Sequence, residues 1–155
     1  MIFIECQTGV AVQVDAPTLR GSQLNGLTLH RAVLEDVDLT GANFADADLR
    51  NALFTGATLT YAKFDRAKMM NAVLERADLE SAKLIDAKLI AADFTGANLH
   101  SANLQGADVG FASFRGANLR GANMVCLRLS EADLEGAMFD DGTIFPADFS
   151  RPQIG

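Results

Sequence analysis

Groups able to do chemistry are sparse in this chain of 155 residues, which holds two histidines (His30, His100) and two cysteines (Cys6, Cys126). A zinc centre needs several Cys or His at short ligand spacings, and neither histidine has a second His or a Cys at such a distance. A nucleophile needs a base within hydrogen-bond reach, itself oriented by a third group, and no such set is gathered here. Carboxylates are plentiful, 20 in all. Those in the repeating slot, which is Asp or Asn in 12 repeats, are explained by turn chemistry, because short acidic and amide side chains bond to nearby backbone. No phosphate-cradling loop or dinucleotide fingerprint occurs. The expectation is a protein that is not an enzyme, with no cofactor and no metal.

The elements that position these residues follow from a period of five. From Leu19, every fifth residue up to Phe149 is apolar: 27 positions, of which 16 are Leu and 7 are Phe. Two residues before each such centre lies a small-residue slot, and 21 of the 25 alanines occupy it, in an unbroken run from Ala42 to Ala122. The residue between is often Asp or Asn, as in Ala42-Asn43-Phe44 and Ala77-Asp78-Leu79. The register predicts no slip over its whole length.

Five residues rotate a helix by 500°, so successive centres would spiral around it. In a straight strand an odd period would alternate the faces. A short extended piece followed by a corner in every repeat satisfies both the period and the pairing of alanine with its centre. Glycine two residues after the centre (Gly41, Gly56, Gly96, Gly116 and others) suits that corner.

The pattern Ala-(Asp/Asn)-(Leu/Phe)-x-x resembles the pentapeptide-repeat family over residues 17–151. The resemblance implies an all-β fold, a right-handed quadrilateral parallel β-helix with four pentapeptides per coil and the centre and alanine slots inside. The repeats would then make about seven coils, a rod of roughly 30–35 Å at about 4.8 Å per coil. Residues 1–16 are expected to form an N-terminal cap. There Ile2, Ile4 and Cys6 alternate, Gln7-Thr8-Gly9 turns, and Val10, Val12 and Val14 alternate, which is a hairpin signal. Residues 152–155 leave the register as a C-terminal tail, and no long helix fits there. Cys126 is expected at an outward corner and Cys6 in the cap.

Centres twenty apart share a wall. Phe44 and Phe64 fall on the second wall and Phe54, Phe94 and Phe114 on the fourth, so rings enter from opposite sides. Outward charge is polarised: the first wall, which carries Asp38, Asp78 and Glu80, sums to -3. The fourth, with Glu35, Asp36, Glu75, Asp93, Asp133 and Glu135, sums to -4. The second is neutral and the third sums to +2, within a total of -7. Two apolar ladders also face out. Val33, Leu53 and Val73 read as stacking between coils, whereas Met70, Ile85 and Ile90, edged by Lys63, Lys68, Lys83 and Lys88, read equally well as a partner patch.

These features point to a non-catalytic interaction protein that binds an unidentified protein partner through its walls, as a monomer or homodimer. The alternative carries over from the resemblance: some pentapeptide-repeat proteins mimic DNA and occupy a type II topoisomerase such as gyrase, conferring quinolone resistance. The acidic first and fourth walls would then stand in for phosphates over roughly nine to ten base pairs. The missing C-terminal helix and the basic third wall count against it. The acidic balance argues against direct nucleic-acid binding. No apolar run is long enough for a membrane span, and Met1-Ile2-Phe3-Ile4-Glu5 lacks the basic start of a secretory leader. Two cysteines make no disulfide framework, which suits the cytoplasm.

Overall fold

The computed structural model describes residues 1–151; the tail expected at 152–155 lies outside the described residues. The chain opens with an antiparallel hairpin, β1 (Ile2–Glu5) and β2 (Ala11–Val14), in the register Ile2–Val14 and Ile4–Val12. Ile4 is buried, while Ile2, Val12 and Val14 pack half-buried against the core. The hairpin lies on the first coil: the Gln7 N–H donates to the Arg31 carbonyl at 3.0 Å and the Val33 N–H to the Glu5 carbonyl at 2.7 Å.

From Gln23 the outward residue of each repeat forms a parallel bridge with the residue twenty places on: Gln23–Asn43, Asn43–Lys63 and Lys63–Lys83 down the second wall, and likewise on the other three. Four pentapeptides therefore close each turn. The N–H of each centre donates to the coil above, as Leu59 does to Asp78 at 2.7 Å, and the N–H of the outward residue to the coil below, as Lys63 does to Ala42 at 2.9 Å. A ladder one residue wide on each wall thus satisfies the backbone of the coils between the ends.

Corners are β-turns in which the alanine N–H returns to the preceding centre's carbonyl, as from Ala47 to Phe44 at 3.0 Å. Such a turn needs positive φ two residues after the centre, and Gly41 (68°) and Gly56 (67°) supply it without steric cost. Asp46, Tyr61, Asn71 and Ala91 adopt the same left-handed conformation at 55° to 60°. Stacking against neighbouring coils overrides their preference.

Inside, the alanines from Ala42 to Ala122 and the centres from Leu24 to Met124 are buried to within 1% exposure. Phe44 and Phe64 stack at 5.0 Å, and Phe54 from the opposite wall meets them edge-on at 5.8 and 5.9 Å. Alanine is required because larger side chains in both slots would overfill a tube this narrow.

The unbroken register is corrected in two places. Leu127 pairs with Asp108, nineteen residues away, and Asn123 with Ile144, twenty-one away. At the first slip Cys126 is buried where the repeat would put Leu127, which turns outward and is 54% exposed. Cysteine is close to alanine in size and leucine is not, so the chain gives up one residue of register to keep the slot small. Cys126 therefore lies inside the wall and not at an outward corner. Arg128 then turns left-handed (φ 57°), and a 3₁₀ turn, Leu129–Glu131, restores the count with Leu129 buried. At the second slip Thr143 occupies the inner slot, its hydroxyl donating to the Leu119 carbonyl at 2.9 Å. Ile144 faces out at 54% exposure, and is not a buried centre. Phe139 and Phe149 are only half-buried; Phe145 packs between them at 5.6 and 5.4 Å, with the Arg151 guanidinium over Phe139 at 5.6 Å.

Candidate interaction surface

Outward positions are of two kinds: the bridged residue at mid-wall and the two corner residues. At mid-wall some residues stack on their like, Val33 on Leu53 and Asn98 on Asn118, and others do not, as where Val73 meets Asp93. Lys63 bridges Lys83 on the second wall and Lys68 bridges Lys88 on the third, so all four lysines of the chain lie in two adjacent turns around one edge. All four are exposed, and among the described residues none has a carboxylate within 4.0 Å. Like charges in register repel. On the third wall Asp48 bridges Lys68 and Asp108 bridges Lys88, but these carboxylates pair with Arg50 and Arg128, and the second-wall pair has Asn43 and Asn103 as its bridged neighbours. Ile85 stands at the corner between the two lysine pairs, its N–H donating to Asp65 Oδ1 at 3.1 Å. Met70 and Ile90 stand in successive turns at the next corner. All three apolar side chains are half-buried, so they fill gaps between the lysine stems as much as they face solvent.

The acidic walls are organised differently. Asp38 pairs with Arg20 at 2.7 Å, and Arg115 bridges Asp133 (2.9 Å) and Glu135 (2.5 Å). The Thr40 hydroxyl and amide, with the Arg20 guanidinium behind them, hold the Asp38 carboxyl down at about 2. The Glu135 N–H and Arg115 lower Asp133 in the same sense. Asp78 accepts from Asn98 at 2.9 Å, and Asn98 from Asn118 at 3.0 Å, giving a polar ladder on the first wall. The Asp93 carboxylate receives the Thr95 N–H at 2.9 Å. Glu80 lies 3.9 Å from His100, and Glu75 lies 4.0 Å from Arg76. Glu35 and Asp36 are exposed at the corner that closes the fourth wall. The carboxylates proposed as phosphate mimics are thus split between ion pairs, turn acceptors and free groups. Val33, Leu53 and Val73 bridge one another in sequence and are half-buried, as expected for residues that stack between coils.

His30 Nε2 lies 3.2 Å from the Asn51 amide, on a different wall from His100. Burial pushes the Cys126 thiol up to about 12, and raises Cys6 as well. Among the described residues no three His, Cys, Asp or Glu gather as metal ligands, and no helix is long and apolar enough to cross a membrane.

One feature escaped the regular reading. Val125 (39% exposed), Leu127 and Ile144 all face out on the second and third walls near the C-terminal end, around the same edge as the lysines. The signal was present: Leu127 and Gly142 are departures from alanine at its slot, and each marks a slip.

The repeat of five, the twenty-residue bridging and the alanine–centre core together match the family of pentapeptide repeats, found in eight copies over residues 18–56, 38–76, 72–110 and 112–151. The chain belongs to the pentapeptide-repeat family. Members of it fold as a right-handed β-helix, and the bridging here closes a parallel coil every four repeats. Among solved structures it is similar to HetL, a pentapeptide-repeat protein involved in heterocyst differentiation regulation in the cyanobacterium Nostoc sp., with 32% identity and a TM-score of 0.57. That match covers 84% of this chain and 62% of HetL. A thylakoid-lumen member from Arabidopsis thaliana shares 30% identity over 66% of this chain and 68% of its own, with a TM-score of 0.49. The fluoroquinolone resistance protein QnrB1 is 16% identical over 83% of this chain and 88% of its own, with a TM-score of 0.28, a likeness that carries nothing beyond the repeat. No curated protein matches the chain.

Proposed function

We propose that this pentapeptide-repeat protein is a non-catalytic interaction rod that binds a protein partner across its second and third walls. The contact surface consists of Lys63, Lys68, Lys83 and Lys88 with Met70, Ile85 and Ile90. One observation carries the reading: Lys63 bridges Lys83 and Lys68 bridges Lys88, all four exposed and none with a carboxylate within 4.0 Å among the described residues. Such an arrangement costs folding stability and is relieved when an acidic surface covers it. On this reading residues 1–16 cap the open end of the first coil, 17–151 form the rod of about seven coils, and the protein acts in the cytoplasm.

The test is affinity capture from a native lysate with the wild-type chain and with Met70→Asp/Ile90→Asp, after thermal unfolding has shown that both fold. The expected outcome is a partner retained by the wild type and lost by the double variant. A partner that survives both substitutions refutes the patch. DNA mimicry has weaker support, because Arg20 and Arg115 are ion-paired to three of its carboxylates and the lysine edge adds positive charge that a DNA backbone lacks. The expectation is that micromolar protein leaves gyrase supercoiling unchanged.

A further inference from the structure

We infer that the edge between the second and third walls is a docking strip for a short acidic peptide segment with an apolar anchor. The acidic residues lie over Lys63, Lys68, Lys83 and Lys88, and the anchor lies on Val125, Leu127 and Ile144. The inference rests on the interaction reading and specifies the partner's chemistry.

Two separate slips of register each turn an aliphatic side chain outward on this edge. The first brings Leu127 to mid-wall beside Asp108 on the third wall; the second brings Ile144 to mid-wall beside Asn123 on the second. Val125 lies at the corner between them, in the same turn as Leu127. These aliphatic residues, 39% to 54% exposed, contrast with the polar residues one turn below them: Asn123 under Ile144, Gln105 under Val125 and Asp108 under Leu127. Each slip leaves a small or polar side chain inside, Cys126 or Thr143, and a large apolar one in water, so apolar area is exposed twice at one place.

The lysine block begins about two turns away along the same edge, a separation of roughly 10 Å at about 4.8 Å per turn. An extended segment rises about 3.3 Å per residue, so some three to five residues separate an apolar anchor from the first carboxylate over Lys83 and Lys88. Charge complementarity selects the occupant. The edge presents four exposed lysines in two adjacent turns, none in an ion pair among the described residues, which call for carboxylates, and its aliphatic end calls for Leu, Ile or Phe. A single extended segment can follow the lysines alone, whereas a nucleic acid or a bilayer, being broader, would also press its phosphates against Asp65, Asp86 and Asp108 on the same edge.

The test uses a random 16-residue peptide library displayed on phage and selected on the intact protein, with counter-selection on Leu127→Asp/Ile144→Asp. Both residues are exposed, and thermal unfolding verifies that the variant folds. The expected winners carry several Asp or Glu three to five residues from Leu, Ile or Phe. By fluorescence anisotropy they are expected to bind with micromolar Kd. Affinity is expected to fall at least tenfold with Lys63→Glu/Lys83→Glu, at least tenfold with Leu127→Asp/Ile144→Asp, and several-fold in 0.5 M NaCl. Failure to enrich any peptide, winners without acidic residues, or winners indifferent to either double variant overturn the strip. Tighter binding to a DNA duplex or to anionic phosphatidylserine vesicles than to any selected peptide does so too. If the strip fails while Met70→Asp/Ile90→Asp still abolishes lysate capture, the interaction reading stands and only the peptide chemistry falls.

Discussion

Between Ala42 and Ala122 seventeen consecutive repeats hold one register, and every inner side chain is buried to within 1% exposure. Between Asn123 and Phe149 the same motif slips twice, and Leu134, Ala137, Phe139 and Phe149 are only half-buried. Apolar character is similar in the two regions, so hydrophobicity does not separate them. The residue at one slot does: the middle has alanine there without exception, and the C-terminal region offers Leu127, too large, and Gly142, whose place is taken by Thr143. In the first coils Leu27 and Val37 are accepted beside their centres without a slip; deeper in the rod, at Leu127, the chain shifts its backbone and buries Cys126 instead.

The largest expected contrast is in the packed rings. Phe64 is enclosed by Phe44 and Phe54, so Phe64→Ala is expected to cost about 3–5 kcal/mol of stability through lost burial and the cavity left behind. Phe149, half-buried at the open end, is expected to cost less than half as much when cut to alanine. Urea denaturation of the two variants reads the difference directly, and equal losses would remove the distinction between regions. Next in size, Ala82→Leu is expected to cost about 1–3 kcal/mol by overpacking, since its slot is fully buried.

A subtler test asks whether the first slip really is caused by Leu127. With Leu127→Ala, the inner slot regains its ordinary residue, and Cys126 is free to move to the corner that the repeat assigns it. The wild-type thiol, buried and pushed up to about 12, is expected to react negligibly with Ellman's reagent at pH 8. In the variant it is expected to react at least tenfold faster. An unreactive Cys126 in Leu127→Ala would mean that something other than side-chain size sets the slip.

The second slip is held by Asp140. Its carboxylate receives the N–H of Gly121 at 2.9 Å and of Gly142 at 3.0 Å, with the Thr143 hydroxyl oxygen 3.3 Å away, and these polar neighbours hold its pKa below the usual carboxylate range. A group whose value is depressed on folding stabilises the protein above its unfolded value, near 4, and loses that contribution as pH falls through the folded value. The C-terminal turns are therefore expected to loosen as pH drops below about 4, while the middle, stapled by backbone and apolar contacts, persists. The amide resonances of Gly121 and Gly142 in an NMR titration report it. Asp140→Asn is expected to lower the melting temperature at pH 7, with the gap closing near pH 2.

Most of the architecture was legible because the period is strict: Ala42 to Ala122 names the inner slot, and Phe44, Phe54 and Phe64 name opposite walls. The slips were not, although Leu127 and Gly142 were visible departures. A departure tells that the slot is strained, but the choice between burying Leu127 and shifting the chain depends on whether Cys126 fits, and that is a packing question. The surface was legible only as charge. The sequence placed four lysines around one edge, yet that Arg20 and Arg115 neutralise part of the acidic walls while no carboxylate reaches a lysine is decided by side-chain reach across coils.

The smallest expected effect bears on that surface. Lys63 and Lys83 are bridged neighbours with the same charge, so Lys83→Glu replaces a repulsive pair with two attractive ones, toward Lys63 on its own wall and toward Lys88 across the corner. Cross-strand charge pairs contribute roughly 0.2–1 kcal/mol, and exposure places this one at the lower end. The variant is therefore expected to be more stable than the wild type by a few tenths of a kcal/mol in 20 mM salt, with the gain fading in 0.5 M NaCl as the charges are screened. A substitution in the middle region that stabilises the fold would be informative because every other change considered there destabilises it. Residues kept against stability, in the most regular part of the rod, are accounted for by what they bind. If Lys83→Glu instead lowers the melting temperature, the lysine stems are packing elements of the wall, and the charge block loses its standing as a surface held for a partner.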